Sequence, residues 1–76
     1  LNVNFVGEAH RSRVLKFVCA RIVHFHKHLP KGSSQRVRFD LRGQWVSTKN
    51  LEQARHALVQ ESAKHGVHVE VDFLTG

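Results

Sequence analysis

Arg36-Val37-Arg38-Phe39-Asp40-Leu41-Arg42 and Val67-His68-Val69-Glu70-Val71-Asp72-Phe73 are the two stretches that decide the fold. In each, apolar and mostly charged residues alternate strictly. Period two is the signature of a β-strand with an apolar inner face and a polar outer one. Working outward from the first run, Gly43 and Gln44 mark a turn, and Trp45 with Val46 is a strand stub or a packing anchor. Ser47 or Thr48 is placed to cap a helix whose narrow apolar stripe is Leu51, Ala54 and Leu58. Gly66, directly after His65, stops that helix before the second run begins.

Upstream, residues 31–35 form a polar loop after Pro30, which with Gly32 ends a helix expected over residues 10–29. Its apolar residues Val14, Phe17, Val18, Ile22, Phe25 and Leu29 recur at helical spacing, and Leu15 and Cys19 widen the stripe. Arg21 falls among them, an arginine either snorkelling to the helix edge or anchoring an anion. Residues 1–6 alternate Leu1, Val3 and Phe5 with Asn2 and Asn4, as a short strand does, and Gly7 and Glu8 break it. The order is strand, helix, strand, helix, strand. Because each clear strand is apolar on one side only, both helices should cover that side. Right-handed crossovers then give the strand order 1-2-3. The expected fold is α/β (or α+β), a small three-stranded sheet with two helices packed on one face. Strict alternation also suits an antiparallel sheet with Trp45 and Val46 as an extra edge, because parallel sheets are usually buried on both faces.

Seventy-six residues make one domain with a thin core, since a chain this short buries only about 60% of its unfolded surface. Such a length excludes a two-domain enzyme or a large cofactor fold. No apolar run approaches the length of a membrane span. One cysteine, Cys19, forms no internal disulfide, which suits a reducing compartment. The chain has no methionine and begins at Leu1, so residues 1–76 read as a single small domain that is a fragment, a processed piece or the ordered part of something longer.

Charge narrows the function. Twelve Lys and Arg against six Asp and Glu give a net +6, with seven His besides. Through Arg42 the balance is +7, and the remainder carries −1. So one-sided a field concerns partners. On the outer faces of the two clear strands lie Arg36, Arg38, Asp40, Arg42, His68, Glu70 and Asp72. The ordinary reading is a ladder of exposed cross-strand ion pairs, each worth little. The functional reading is a phosphodiester site. RNA cleavage needs a base for the 2′-hydroxyl proton, an acid for the leaving oxygen and cations for the charge on phosphorus. His68 with Glu70 or Asp72 suits the proton transfers, and Arg38 and Arg42 suit the charge. Arg13, Lys16, Lys27, Lys31 and Arg36 would track phosphates, and Trp45 would stack on a base.

Other chemistries find less support. His24 and His28, four residues apart, share a helix face, but no nearby Cys, Asp or Glu completes a metal set, so no metal or other cofactor is expected. His10 beside Glu8 reads as capping and surface chemistry. Neither a P-loop nor a G-x-G-x-x-G pattern is present.

The segment 36–44 (RVRFDLRGQ) and the closing 67–74 (VHVEVDFL), in a small basic α/β chain rich in His, resemble the C-terminal toxin domains of bacterial contact-dependent growth inhibition and related polymorphic toxin proteins. The resemblance covers roughly the second half of the chain. It implies a nuclease, often one that cuts tRNA, neutralised by a dedicated acidic immunity protein. It also implies release from a secreted or cell-surface parent and action in the cytoplasm of a target bacterium. The chain departs from the barnase-like pattern in placing a helix between its last two clear strands and in lacking Tyr. Two rival functions use the same basic surface: a non-catalytic nucleic-acid-binding module and a protein-interaction domain.

Overall fold

The computed structural model describes residues 2–4, 12–43 and 46–75, with side chains over 15–43 and 46–75. Two long strands form its centre. β2 (Ser34–Asp40) and β3 (His68–Leu74) run parallel, in register from Ser34 opposite His68 to Asp40 opposite Leu74. Hydrogen bonds from Gly32 N to Gly66 O (2.7 Å), His68 N to Ser33 O (2.8 Å) and Leu41 N to Leu74 O (2.8 Å) extend the ladder beyond both ends. A three-residue segment, β1 (Asn2–Asn4), lies parallel to β2 on its other side, with Asn2 opposite Arg38. The strand expected over residues 1–6 otherwise lies outside the described residues.

Two helices, α1 (Ser12–His26) and α2 (Thr48–Ala63), connect these strands. The antiparallel alternative is thereby corrected. Each pair of consecutive strands is joined through a helix, and a helical crossover returns the chain in the same direction. Trp45 lies outside the described residues, and Val46 belongs to no strand. Strict alternation coexists with parallel pairing because both helices contribute to a single core on one side of the sheet. That core joins Leu15, Cys19 and Ile22 of α1 to Ala54 and Leu58 of α2. Val37, Phe39 and Leu41 meet them from the β2 segment, and Val67, Val69 and Val71 from the β3 segment. Phe39 and Leu58 are fully buried, and each such side chain contributes about 1.5–3 kcal/mol. At the core's edge, Phe73 stacks on Phe39 at 5.3 Å, and the Arg55 guanidinium lies 5.2 Å from the Phe73 ring centre.

α2 begins where its cap predicts. Ser47 has extended backbone and its hydroxyl accepts from Asn50 N at 3.1 Å, satisfying one of the open N–H groups of the first turn. Gly66 follows with φ +78°, the left-handed conformation that lets the chain leave the helix for β3.

α1 departs from expectation in length and in phase. It runs over Ser12–His26 and stops short of the expected Leu29, while residues 10 and 11 lie outside the described residues. Its buried line is Leu15, Cys19, Ile22 and His26, while Phe17 and Phe25 stand 65% and 51% exposed. Arg21 is exposed between them. The apolar residues of this helix cover more than half its circumference, so periodicity admits two phases. Packing selects the one that presents Cys19 to the Ala54 carbonyl, with Sγ 3.9 Å from that oxygen. The same phase buries His26, whose Nδ1 lies 2.7 Å from Ser62 Oγ on α2. Among the described residues, no group bonds to its Nε2.

Candidate nucleic-acid interface

Helices cover one side of the sheet, so the even-numbered side chains of β2 and β3 form an open outer face. Register decides which of them meet. Arg36 stands opposite Glu70 and Arg38 opposite Asp72. One Arg36 Nη lies 3.0 Å from Glu70 Oε2, and its Nε lies 3.7 Å from Asp72 Oδ2. Arg36 therefore bridges both acids of β3, and the hydrogen bond to Glu70 together with the two negative charges strengthens its own hold on its proton. Arg42, just beyond β2, folds back on Asp40. Its Nε and one Nη reach the two carboxylate oxygens at 3.0 and 2.9 Å, and its backbone N–H donates to Oδ1 at 3.2 Å. These bonds hold the Asp40 carboxyl down at about 2, against an ordinary value of 3.8. All of these pairs are exposed.

The expected catalytic residues thus share a face but not a point. His68 sits at the Ser34 end of the β2–β3 pair and Asp72 opposite Arg38, four positions farther on. At roughly 3.3 Å per residue, His68 and Arg38 are about 13 Å apart along the strands, and Arg42 lies about as far again beyond Arg38. One phosphate cannot touch all three. The cation that grips Glu70 is Arg36, which the sequence places among the binding residues only.

The remaining basic positions fall elsewhere. Lys16 and Lys27 lie on the helical side, at the rim of a groove of about 480 Å³ between α1 and α2. Leu15, Cys19, Ala54 and Leu58 form its apolar floor, and His24, Glu61 and His65 complete the polar part of its rim. Burial of Cys19 pushes its thiol up to about 11, which marks it as a packing group. Lys31 is exposed in the loop after α1 and packs near Gly66. Arg13 is on α1, and its side chain lies outside those described; Trp45 is outside altogether.

His24 and His28 meet edge to face with ring centres 5.5 Å apart. Among the described residues no three His, Cys, Asp or Glu side chains group to hold a metal ion. Nor is any described helix long and apolar enough to cross a membrane, and the single cysteine is unpaired.

Sequence reasoning missed two features. The His26–Ser62 pair joins residues 36 apart, a separation that no local pattern signals. The exposed Phe17, Arg21 and Phe25 follow one another at intervals of four, which is visible in the sequence but reads equally well as a core stripe.

Fold and site together define a small α+β unit with two helices and parallel strands in one sheet, closed by helices on one side and charged on the other. No family model, curated protein or solved structure matches the chain.

Proposed function

We propose that this chain is the toxin domain of a bacterial contact-dependent growth inhibition system, a metal-independent ribonuclease acting on tRNA or another structured RNA. The reading includes a full first strand over residues 1–6 as the third strand of the sheet. The observation that carries it is the Arg36–Glu70 pair on the same open sheet face as His68, in a chain with net charge +6. In this scheme His68 and Glu70 divide the proton work. One takes the 2′-hydroxyl proton as that oxygen attacks phosphorus, and the other protonates the departing 5′-oxygen. The products are a 2′,3′-cyclic phosphate and a free 5′-hydroxyl. Arg36 stabilises the charge that grows on the phosphoryl oxygens. Asp72 holds Arg36 from the far side, and Arg38 and Arg42 meet phosphates farther along the strand. An acidic immunity protein neutralises the domain by covering this face. The domain is released from a secreted or cell-surface parent and acts in the cytoplasm of the target bacterium.

The test is incubation with bacterial tRNA in the presence of EDTA, read on a denaturing gel, for the wild type and His68→Ala. Discrete cuts by the wild type, lost in a variant with unchanged circular dichroism, support the reading. An unchanged cleavage rate in His68→Ala removes His68 from the chemistry.

One observation favours a second reading, binding without cleavage. Arg36 already engages both Glu70 and Asp72, so the face as it stands is an ion-pair network. RNA that stays intact while binding falls steeply with salt would select that reading.

A further inference from the structure

Among the described residues, the outer sheet face of β2 and β3 carries no net charge. There Arg36, Arg38 and Arg42 are balanced by Asp40, Glu70 and Asp72. The α2 segment, with Lys49, Arg55 and Lys64 against Glu52 and Glu61, adds a single charge. Everything else in the net +6 comes from residues 1–33, where Glu8 is the only acid and six Lys or Arg are found. α1 itself, Ser12–His26, contains no acidic residue at all.

The exposed aromatic residues lie on this same helix. Phe17, Arg21 and Phe25 are spaced at i, i+4 and i+8, so they share one flank. Phe17 and Phe25 are the exposed large hydrophobic residues among those described, at 65% and 51%. Near the end of the helix His24 and His28 meet edge to face at 5.5 Å. Scattered exposed apolar residues are ordinary on a protein surface. Two phenyl rings separated by an arginine, on a helix without an acid, form an ordered alternation of flat apolar faces and positive charge. Single-stranded nucleic acid offers the complement, namely bases with flat faces joined by anionic linkers.

We infer that the Phe17–Arg21–Phe25 flank of α1 is a stacking surface for unpaired nucleobases. The two rings take the bases, and Arg21 takes the intervening phosphates. Eight residues at 1.5 Å separate the rings by about 12 Å along the axis. At 3.4 Å per nucleotide, that matches bases about three or four apart in a stacked strand, and fewer in an extended one. The flank belongs to the helical layer, opposite the charged sheet face, so it binds RNA at a place separate from the chemistry proposed above. The inference rests on the nucleic-acid reading and adds to it the class of RNA element recognised: a loop or single strand rather than a duplex.

The probe is a fluorescent 2′-O-methyl oligouridine, which lacks the free 2′-hydroxyl and so cannot be cut. Fluorescence anisotropy measures its binding, and that of a duplex of equal length, to the wild-type chain and to Phe17→Ala, Phe25→Ala and Arg21→Gln. All three side chains are exposed, so the variants should keep the fold, as checked by circular dichroism. Each phenylalanine variant is expected to bind the single strand about 5- to 100-fold more weakly, with the salt dependence unchanged. Arg21→Gln should flatten the log–log salt slope by about 0.7, the loss of one phosphate contact. Duplex binding should be nearly indifferent to the phenylalanine changes. Single-strand binding that is equally tight in Phe17→Ala and Phe25→Ala overturns the stacking surface and leaves the nucleic-acid reading standing. Absence of wild-type binding to either probe, even at low salt, together with intact tRNA, overturns both. Capture of an acidic protein that depends on Phe17 and Phe25, with no such dependence for RNA, also overturns the inference.

Discussion

Acid should destabilise this fold through one side chain, His26. Its ring is fully buried where the ends of α1 and α2 meet, with Nδ1 2.7 Å from Ser62 Oγ and Nε2 without a partner among the described residues. Burial disfavours the imidazolium, which lowers the pKa of His26 in the folded chain below the ordinary 6.5. Between those two values the unfolded chain binds more protons than the folded one, so stability rises with pH there. His26's contribution is complete above about pH 6.5 and is lost as pH falls through the lowered folded value. One proton gives a limiting slope of about 1.4 kcal/mol per pH unit. A chain of this length has a total stability of only about 4–11 kcal/mol, so the loss is measurable in a urea melt. The control is His26→Leu combined with Ser62→Ala, which replaces both polar partners and leaves no buried group unsatisfied. Ser62→Ala alone strands both ring nitrogens and should cost about 1–3 kcal/mol at neutral pH. Urea denaturation followed by circular dichroism between about pH 7.5 and about pH 5.5 reads all three proteins. The other histidines are common to each and cancel in the comparison. A wild type that loses stability in parallel with the double variant would refute the argument.

Two further substitutions test the frame of the site. Gly66→Ala should cost about 1–2 kcal/mol in thermal or urea unfolding. Its φ is +78°, and an added Cβ would lie 3.0 Å from Lys31 Cγ. Arg42→Ala should raise the Asp40 carboxyl from about 2 part of the way towards its ordinary range, because the Arg42 side-chain bonds are the largest cause holding it down while the backbone N–H of residue 42 remains. A carboxyl carbon titration by NMR checks the shift, and an Asp40 that still titrates near 2 would place the cause elsewhere.

Much of the fold was legible because period two leaves no freedom of phase. Once Val37, Phe39 and Leu41 face the core, Arg36, Arg38 and Asp40 must face out, and β3 follows the same rule. Ser47 and Gly66 were legible for a similar reason, since each satisfies a backbone requirement local to it. α1 was harder, because Val14, Phe17, Val18, Ile22 and Phe25 make as good a stripe as Leu15, Cys19, Ile22 and His26. Only the position of α2, which supplies Ala54 and Ser62 as partners, decides between them. The site divides in the same way. That His68, Glu70, Asp72, Arg36 and Arg38 share a face is a property of the alternation. That Arg36 rather than Arg38 grips Glu70, and that His68 and Arg42 stand at opposite ends, is a property of register. Register is set by the β2–β3 crossover, and no single strand encodes it.

Charge and chemistry are therefore separated in this molecule. The sheet face holds groups suited to proton transfer but carries no net charge, so it attracts a polyanion weakly over distance. Residues 1–33 supply the surplus, and α1 carries the aromatic flank. A single RNA using both must cross from one layer to the other, and the chain's shorter dimensions are 17 and 16 Å. At 3.4 Å per nucleotide that crossing takes at least about five nucleotides of a stacked strand, because the strand must pass around the edge of the molecule. Under the ribonuclease reading proposed above, the affinity for RNA and its salt dependence would belong to α1 and the rate of cleavage to the sheet face. Substitutions on the two sides then act on different kinetic constants, Phe17 and Arg21 on KM and His68 and Glu70 on kcat.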